Sequence, residues 1–223
     1  MRILLLLLIL PFALSAQSGR PKILVVPPNA VALNSNVVRV LAANKISAAD
    51  WVDRARSTFA RLAKPDLTDF DVYVTGVDDT LHLKPTLADR TAKVKFKRKN
   101  FITKKEKLVT KKVKYKGVQI GPIEKLTLDG LATKVGYDYI IFVSLFEVKG
   151  NKGLNLAFKP LSMFSIHYEV YDAKQVFLTG NVVEDAMALS PTMQIGVLNH
   201  YLNLSAENVY RNVASLIANG RLN

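Results

Sequence analysis

The sequence predicts a mixed α/β fold of the α+β kind: a mixed sheet with helices packed on it, and a basic β-hairpin that departs from that sheet. Three observations predict it. Apolar residues recur at helical spacing in some segments and alternate at period two in others, which calls for helices and half-buried strands in one chain. At 223 residues with 49% hydrophobic and 22% charged residues, the chain can bury a core. Residues 90–116 hold 13 of the 31 lysines and arginines but only one of the 18 acids, Glu106.

That segment nets +12, and the remaining 18 basic and 17 acidic residues net +1. The formal charge of +13 is therefore a local feature, an argument about one surface and its partner.

The N-terminus, MRILLLLLILPFALSAQS, has a basic start at Arg2, an apolar run over 3–14, and small residues at Ala13, Ser15 and Ala16 where a signal peptidase would cut. It reads as an export signal over 1–18, followed by a single domain over 19–223, with the mature chain starting near Gln17. The apolar run is shorter than the roughly 18 to 20 residues of a spanning helix. The signal has a bacterial style, so the expected address is the periplasm or the cell surface. With no cysteine in the sequence, neither a lipidated cysteine nor a disulfide is available, and stability must come from packing. No second apolar span stands out, so a soluble or peripheral protein is expected. In a eukaryotic setting, Asn203-Leu204-Ser205 would be a glycosylation sequon.

The run Ile23, Leu24, Val25, Val26, closed by Pro27-Pro28, predicts a strand buried on both faces. A helix follows, N-capped by Ser47 with Asp50 three residues on. Trp51, Ala55, Phe59 and Leu62 form its apolar face, and Lys64-Pro65 marks its end. Phe70, Val72 and Val74 alternate in a half-buried strand.

In the basic segment, Val94 and Phe96 alternate with Lys93, Lys95, Lys97 and Lys99. Val109, Val113 and Tyr115 alternate with Lys112, Lys114 and Lys116. Two strands of a hairpin, joined over 100–106 within a basic excursion at about 90–118, would bring these lysines to one face. Like charges directly opposed across a ladder each cost a few tenths to about 1 kcal/mol. Such a face is tolerated in salt water and favoured against an anion.

The candidate contacts are Lys93, Lys95, Lys97, Arg98, Lys99, Lys112, Lys114 and Lys116. Several uses stay open. One is a solvated face that discourages edge pairing. Another is an anion-binding surface for an envelope component or an acidic partner protein, with peripheral membrane contact. Nucleic acid would suit Phe96, Phe101 and Tyr115 among lysines, yet an exported chain rarely meets it. Insertion as part of a multichain barrel is disfavoured because the strands read as shorter than the 9 to 11 residues required.

Leu128, Leu131 and Val135 predict a short helix that stops at Gly136 and feeds a central strand over 139–146. Ile166, Tyr168 and Val170 alternate, turn at Asp172-Ala173-Lys174, and return through Val176 and Leu178 as an antiparallel hairpin. Val209, Val213, Leu216 and Ile217 line a last helix that closes on Asn219-Gly220 and should pack on the sheet.

Taken in order over 22–220, the opening ILVVPP strand, LATKVGYDYIIFVSL, IHYEVYDAKQVFLTG and the closing amphipathic helix are similar to bacterial envelope domains of the TolB amino-terminal, CsgG and LpoB type. Gly136 and Asp138 resemble the small residue and aspartate before that family's central strand, and Asp172 its turn aspartate. The chain departs in lacking the lipid-anchored cysteine and in carrying the lysine hairpin, which argues against lipoprotein anchoring and pore formation. The resemblance implies a mixed α/β sandwich with helices on one side of the sheet, used for protein or envelope contacts without catalysis.

No catalytic signature accompanies these elements. His82, His167 and His200 lack metal-ligand spacing, and His167 alternates within a strand where it could face solvent. There is no G-x-S-x-G elbow, no phosphate-binding glycine loop and no cysteine nucleophile, and no cofactor is called for. Asp78-Asp79 at a strand end reads as a turn cap. The expectation is a non-enzymatic exported binding protein. The alternatives are an extracytoplasmic hydrolase built around Asp78, Asp79 and His82, or a subunit of an envelope oligomer or secretion-type assembly.

Overall fold

A computed structural model describes residues 19–28, 30–78, 85–86, 91–99, 103, 105–114, 117–120, 125–150, 161–188 and 193–220. The signal segment, Asp79 and His82 lie outside them. The fold is mixed α/β, as the patterning predicts.

β1 (Lys22–Val26) is buried on both faces from Ile23 to Val26, and both of its edges are paired. It runs parallel to β3 (Asp71–Val74) on one side and to the first part of β8 (Tyr139–Gly150) on the other. β2 (Ala30–Leu33) lies parallel to the later part of β8, from Val31 opposite Phe146 to Leu33 opposite Val148. The sheet thus forks along β8. One branch is β1 and β3; the other continues from β2 to β7 (Gly117–Ile120) and β4 (Pro85–Thr86). Pro27-Pro28, which carry no N–H to join a ladder, separate the two segments. On the far side of β8, β9 (Leu161–Asp172) and β10 (Phe177–Ala188) complete the sheet with antiparallel pairing. Their turn is held by Asp172 Oδ1, which accepts from the N–H groups of Lys174 (2.9 Å) and Val176 (2.8 Å).

Alternate residues of β1 go to opposite clusters. Ile23 and Val25 face the main core with α1 (Ser35–Ala43), α2 (Ala48–Asp66) and α4 (Ile195–Ala218). Leu24 and Val26 face a smaller cluster with α3 (Lys125–Val135). Helices therefore lie on both faces, and the one-sided arrangement implied by the resemblance is corrected by α3. Phe146 is the centre of the main core, its ring 5.7 Å from Trp51, 5.9 Å from Phe59 and 5.3 Å from Phe164. The Tyr210 hydroxyl, fully buried, donates to the Phe59 carbonyl at 2.7 Å.

Ser47 caps α2 by accepting from the Asp50 N–H at 3.0 Å. The helix does not stop at Lys64-Pro65 but runs to Asp66, because Pro65 falls in the last turn and the Leu67 N–H still reaches the Ala63 carbonyl at 3.1 Å. Gly136, at φ +65°, ends α3 in the left-handed conformation that glycine adopts without strain. Asp138 then ties the starts of β1 and β8 together: its Oδ2 accepts from the Lys22 N–H, and its own N–H donates to the Lys22 carbonyl, both at 2.8 Å. Among the described residues, no helix is long and apolar enough to cross a membrane.

Candidate functional site

β5 (Thr91–Lys99) and β6 (Glu106–Lys114) form a separate two-stranded antiparallel ribbon, inserted in the chain between β4 and β7. Each strand is nine residues long, so the expectation of strands too short for a barrel is corrected. The register sets positions Lys93, Lys95, Lys97 and Lys99 on one face with Lys112 and Lys114. Arg98 departs from this set, because it lies opposite Lys107 on the other face with Val94, Val109 and Lys111. That second face therefore mixes cations with apolar positions and is not an apolar band. Like charges are directly opposed at two places, Lys93 with Lys112 and Arg98 with Lys107, while Lys99 faces Glu106. At a few tenths to about 1 kcal/mol per opposed pair, the ribbon tolerates its charge. Lys116 lies outside the described residues.

The ribbon is docked on its own domain. β5 packs across β8, β9 and β10 on the face that carries Ser165, His167 and Glu169. The contact centres on Lys95, whose N–H donates to Glu169 Oε1 at 3.1 Å. The other oxygen of Glu169 accepts from the Tyr171 hydroxyl. Burial, then the hydrogen bond to Glu169 and its charge, push the Tyr171 phenol up from its usual range.

The Lys95 ammonium lies 5.7 Å from the Tyr171 ring centroid and 5.8 Å from that of Phe177, within reach of a cation–π attraction. Its carbonyl sits over Gly180 so closely that a Cβ built there would fall 2.6 Å from the oxygen. Lys95 is half-buried, and its contacts anchor the hairpin on the sheet. Lys107, Lys111 and Lys112 have exposed side chains. Lys107 and Lys111 were absent from the sequence-based contacts because they break the period-two pattern that singled out Lys112 and Lys114.

His167 is 6% exposed, which corrects the expectation that it could face solvent. Its Nε2 lies 3.4 Å from the Ser165 hydroxyl, which donates to Glu184 Oε1 at 3.4 Å. The serine thus sits between imidazole and carboxylate. Ser165 is also fully buried. Asp78 behaves as a cap: its Oδ2 accepts from the Val74 N–H at 2.7 Å, and its Oδ1 pairs with Lys64 at 2.7 Å. His200 is exposed on α4. Among the described residues, no three histidines or carboxylates gather as a metal site.

No protein-family model matches the chain, and no curated protein matches it in sequence. Among solved structures it is similar to a PelC dodecamer subunit from Paraburkholderia phytofirmans, at 10% identity and a TM-score of 0.40, over 86% of this chain and 88% of that one. It is similar to the lipoprotein GNA1162 from Neisseria meningitidis, at 14% identity and 0.37, over 85% and 97%. A third is the hypothetical protein CT253 from Chlamydia trachomatis, at 9% identity and 0.42, over 88% and 95%. These are bacterial proteins, one of them a lipoprotein, and none of the three is a TolB, CsgG or LpoB protein. At such scores the likeness is confined to the general course of the chain.

Proposed function

We propose that this chain is an exported, non-enzymatic binding protein of a bacterial cell envelope that holds a polyanionic partner against its β5–β6 hairpin. The observation that carries the reading is the charge: residues 90–116 net +12 of the total +13. This charge rides on a ribbon whose one edge is docked while Lys107, Lys111 and Lys112 stay open to solvent. A solvated lysine face needs no anchored support, whereas a docking surface gains from one, because ordering costs are met before the partner arrives.

The test is binding of the mature chain to polyglutamate and to phosphatidylglycerol vesicles at increasing salt. Affinity is expected to drop at least about tenfold between about 50 and 200 mM salt as condensed counterions compete for the lysines. A variant with Lys93, Lys97, Lys99, Lys107, Lys111 and Lys112 changed to Gln should lose that binding. A control with Lys134 and Lys174 changed to Gln should keep it. Equal binding by the hairpin variant and the native chain would refute the reading.

A further inference from the structure

We propose that the outer edge of β6 receives an extended, acidic segment of a partner protein, which adds to the hairpin as a third strand. This rests on the reading of the hairpin as an anion-binding surface and specifies the partner and its mode of attachment.

The direction of the free backbone groups follows from Lys95. In an antiparallel pair, residues directly opposite one another either exchange both hydrogen bonds or turn both N–H and C=O away from each other. Lys95 directs its N–H to Glu169 and its carbonyl toward Gly180, so its pair with Thr110 is of the second kind. Thr110 therefore turns its N–H and C=O toward the far side of β6, and period two extends this to Leu108 and Lys112. Among the described residues, β6 pairs with β5 alone. The docking of β5 on the sheet occupies one edge of the ribbon, and no described strand occupies the other.

This edge is unusually suited to pairing. The ladder runs through nine residue pairs without a shift, from Thr91 opposite Lys114 to Lys99 opposite Glu106. β6 contains neither proline nor glycine. Natural edge strands are blunted by shortness, proline, bulges or lysine, and here lysine is the device present. Lysine discriminates between partners. A second copy of β6 would bring the same cations against Lys107, Lys111 and Lys112, whereas a strand with acids at alternate positions would set them beside Lys107 and Lys111 on one face. Leu108, 50% exposed on the other face, offers an apolar contact for β-branched residues between the acids. A lipid headgroup layer would satisfy the lysines alone. An acidic strand satisfies the lysines and the main-chain groups together.

The test uses the full exported chain and a nine-residue peptide alternating glutamate and valine, with two further versions N-methylated either on the glutamates or on the valines. The plain peptide should bind. One of the methylated versions should bind at least about tenfold more weakly at unchanged charge, because only one set of its N–H groups faces β6. Thr110→Pro should weaken the plain peptide similarly while leaving vesicle binding unchanged, since it removes an outward N–H and no ladder bond. If peptide, polyglutamate and vesicles all fail to bind, the anion-binding reading itself falls. If all three bind, and neither methylation nor Thr110→Pro matters, that reading stands and strand addition is wrong. Binding of vesicles without binding of the plain peptide also overturns strand addition, in favour of a lipid surface.

Discussion

Replacing Gly180 by alanine should lift the hairpin off the sheet. A Cβ at this position would lie 2.6 Å from the Lys95 carbonyl oxygen, against the 3.3 to 3.6 Å of an ordinary carbon–oxygen contact. β5 must then withdraw by roughly 0.7 to 1 Å, because the obstacle is backbone with no rotamer to change. The same movement stretches the 3.1 Å bond from the Lys95 N–H to Glu169 beyond hydrogen-bonding range. Glu169 is only 5% exposed, so the lost bond to its carboxylate costs about 1.5 to 3 kcal/mol. Against this stands the ordinary gain of about 0.5 to 1 kcal/mol when alanine replaces glycine within regular structure. The net expectation is destabilisation of about 0.5 to 2.5 kcal/mol in urea unfolding. Amide exchange at Lys95 should lose its protection, while exchange in β1 and β8 stays slow. A Gly180→Ala protein that is as stable as the native chain, or more stable, with Lys95 still protected, would refute the docking geometry.

Phe146→Ala should cost about 3 to 5 kcal/mol, because it empties the position shared by Trp51, Phe59 and Phe164; a loss below about 1 kcal/mol in denaturant titration would mean that the ring does not join α2 to the sheet. Burial raises the Tyr168 phenol from its usual value of 10 to about 12, with the Asn181 side chain opposing the shift. Between those pH values the folded protein keeps a proton that the unfolded chain has released, so this contribution is fully present below pH 10 and fades as pH rises to about 12. Its size is up to roughly 2 to 3 kcal/mol, and Tyr168→Phe should flatten the alkaline limb of the stability profile; an unchanged slope would contradict the assignment.

Elements with strong local signals were legible in the sequence. β1 showed itself as four apolar residues before two prolines, α2 through Ser47 and its apolar stripe, and α3 through Gly136. The β9–β10 turn was marked by Asp172, whose side chain makes the bonds its position suggests. α1 was missed because Val37, Val38 and Val40 imitate a strand, and only the Asn34 side chain, accepting from the Val37 N–H at 2.9 Å, marks its start. The first part of α4, from Ile195, was missed for a different reason. Gln194 makes no side-chain cap, and Val197 and Leu204 are exposed, so the apolar periodicity is blurred there. At the candidate site, period two placed the ribbon's lysines on a common face, and the register agrees for Lys93, Lys95, Lys97, Lys99, Lys112 and Lys114. Burial of His167 and Glu169, and the anchoring role of Lys95, arise from a contact between segments 74 residues apart. No local pattern carries that information.

The hairpin leaves the chain between β4 and β7, at one margin of the forked sheet, and comes to rest on β9 and β10 toward the other margin. It therefore acts as a strap from the β2 branch to β9 and β10. Force applied to β6 by an attached molecule would divide between the strand connections at one end and the Lys95 clasp at the other. The β2 branch, joined to β8 through only the three pairs from Val31 to Leu33, would not bear that load alone.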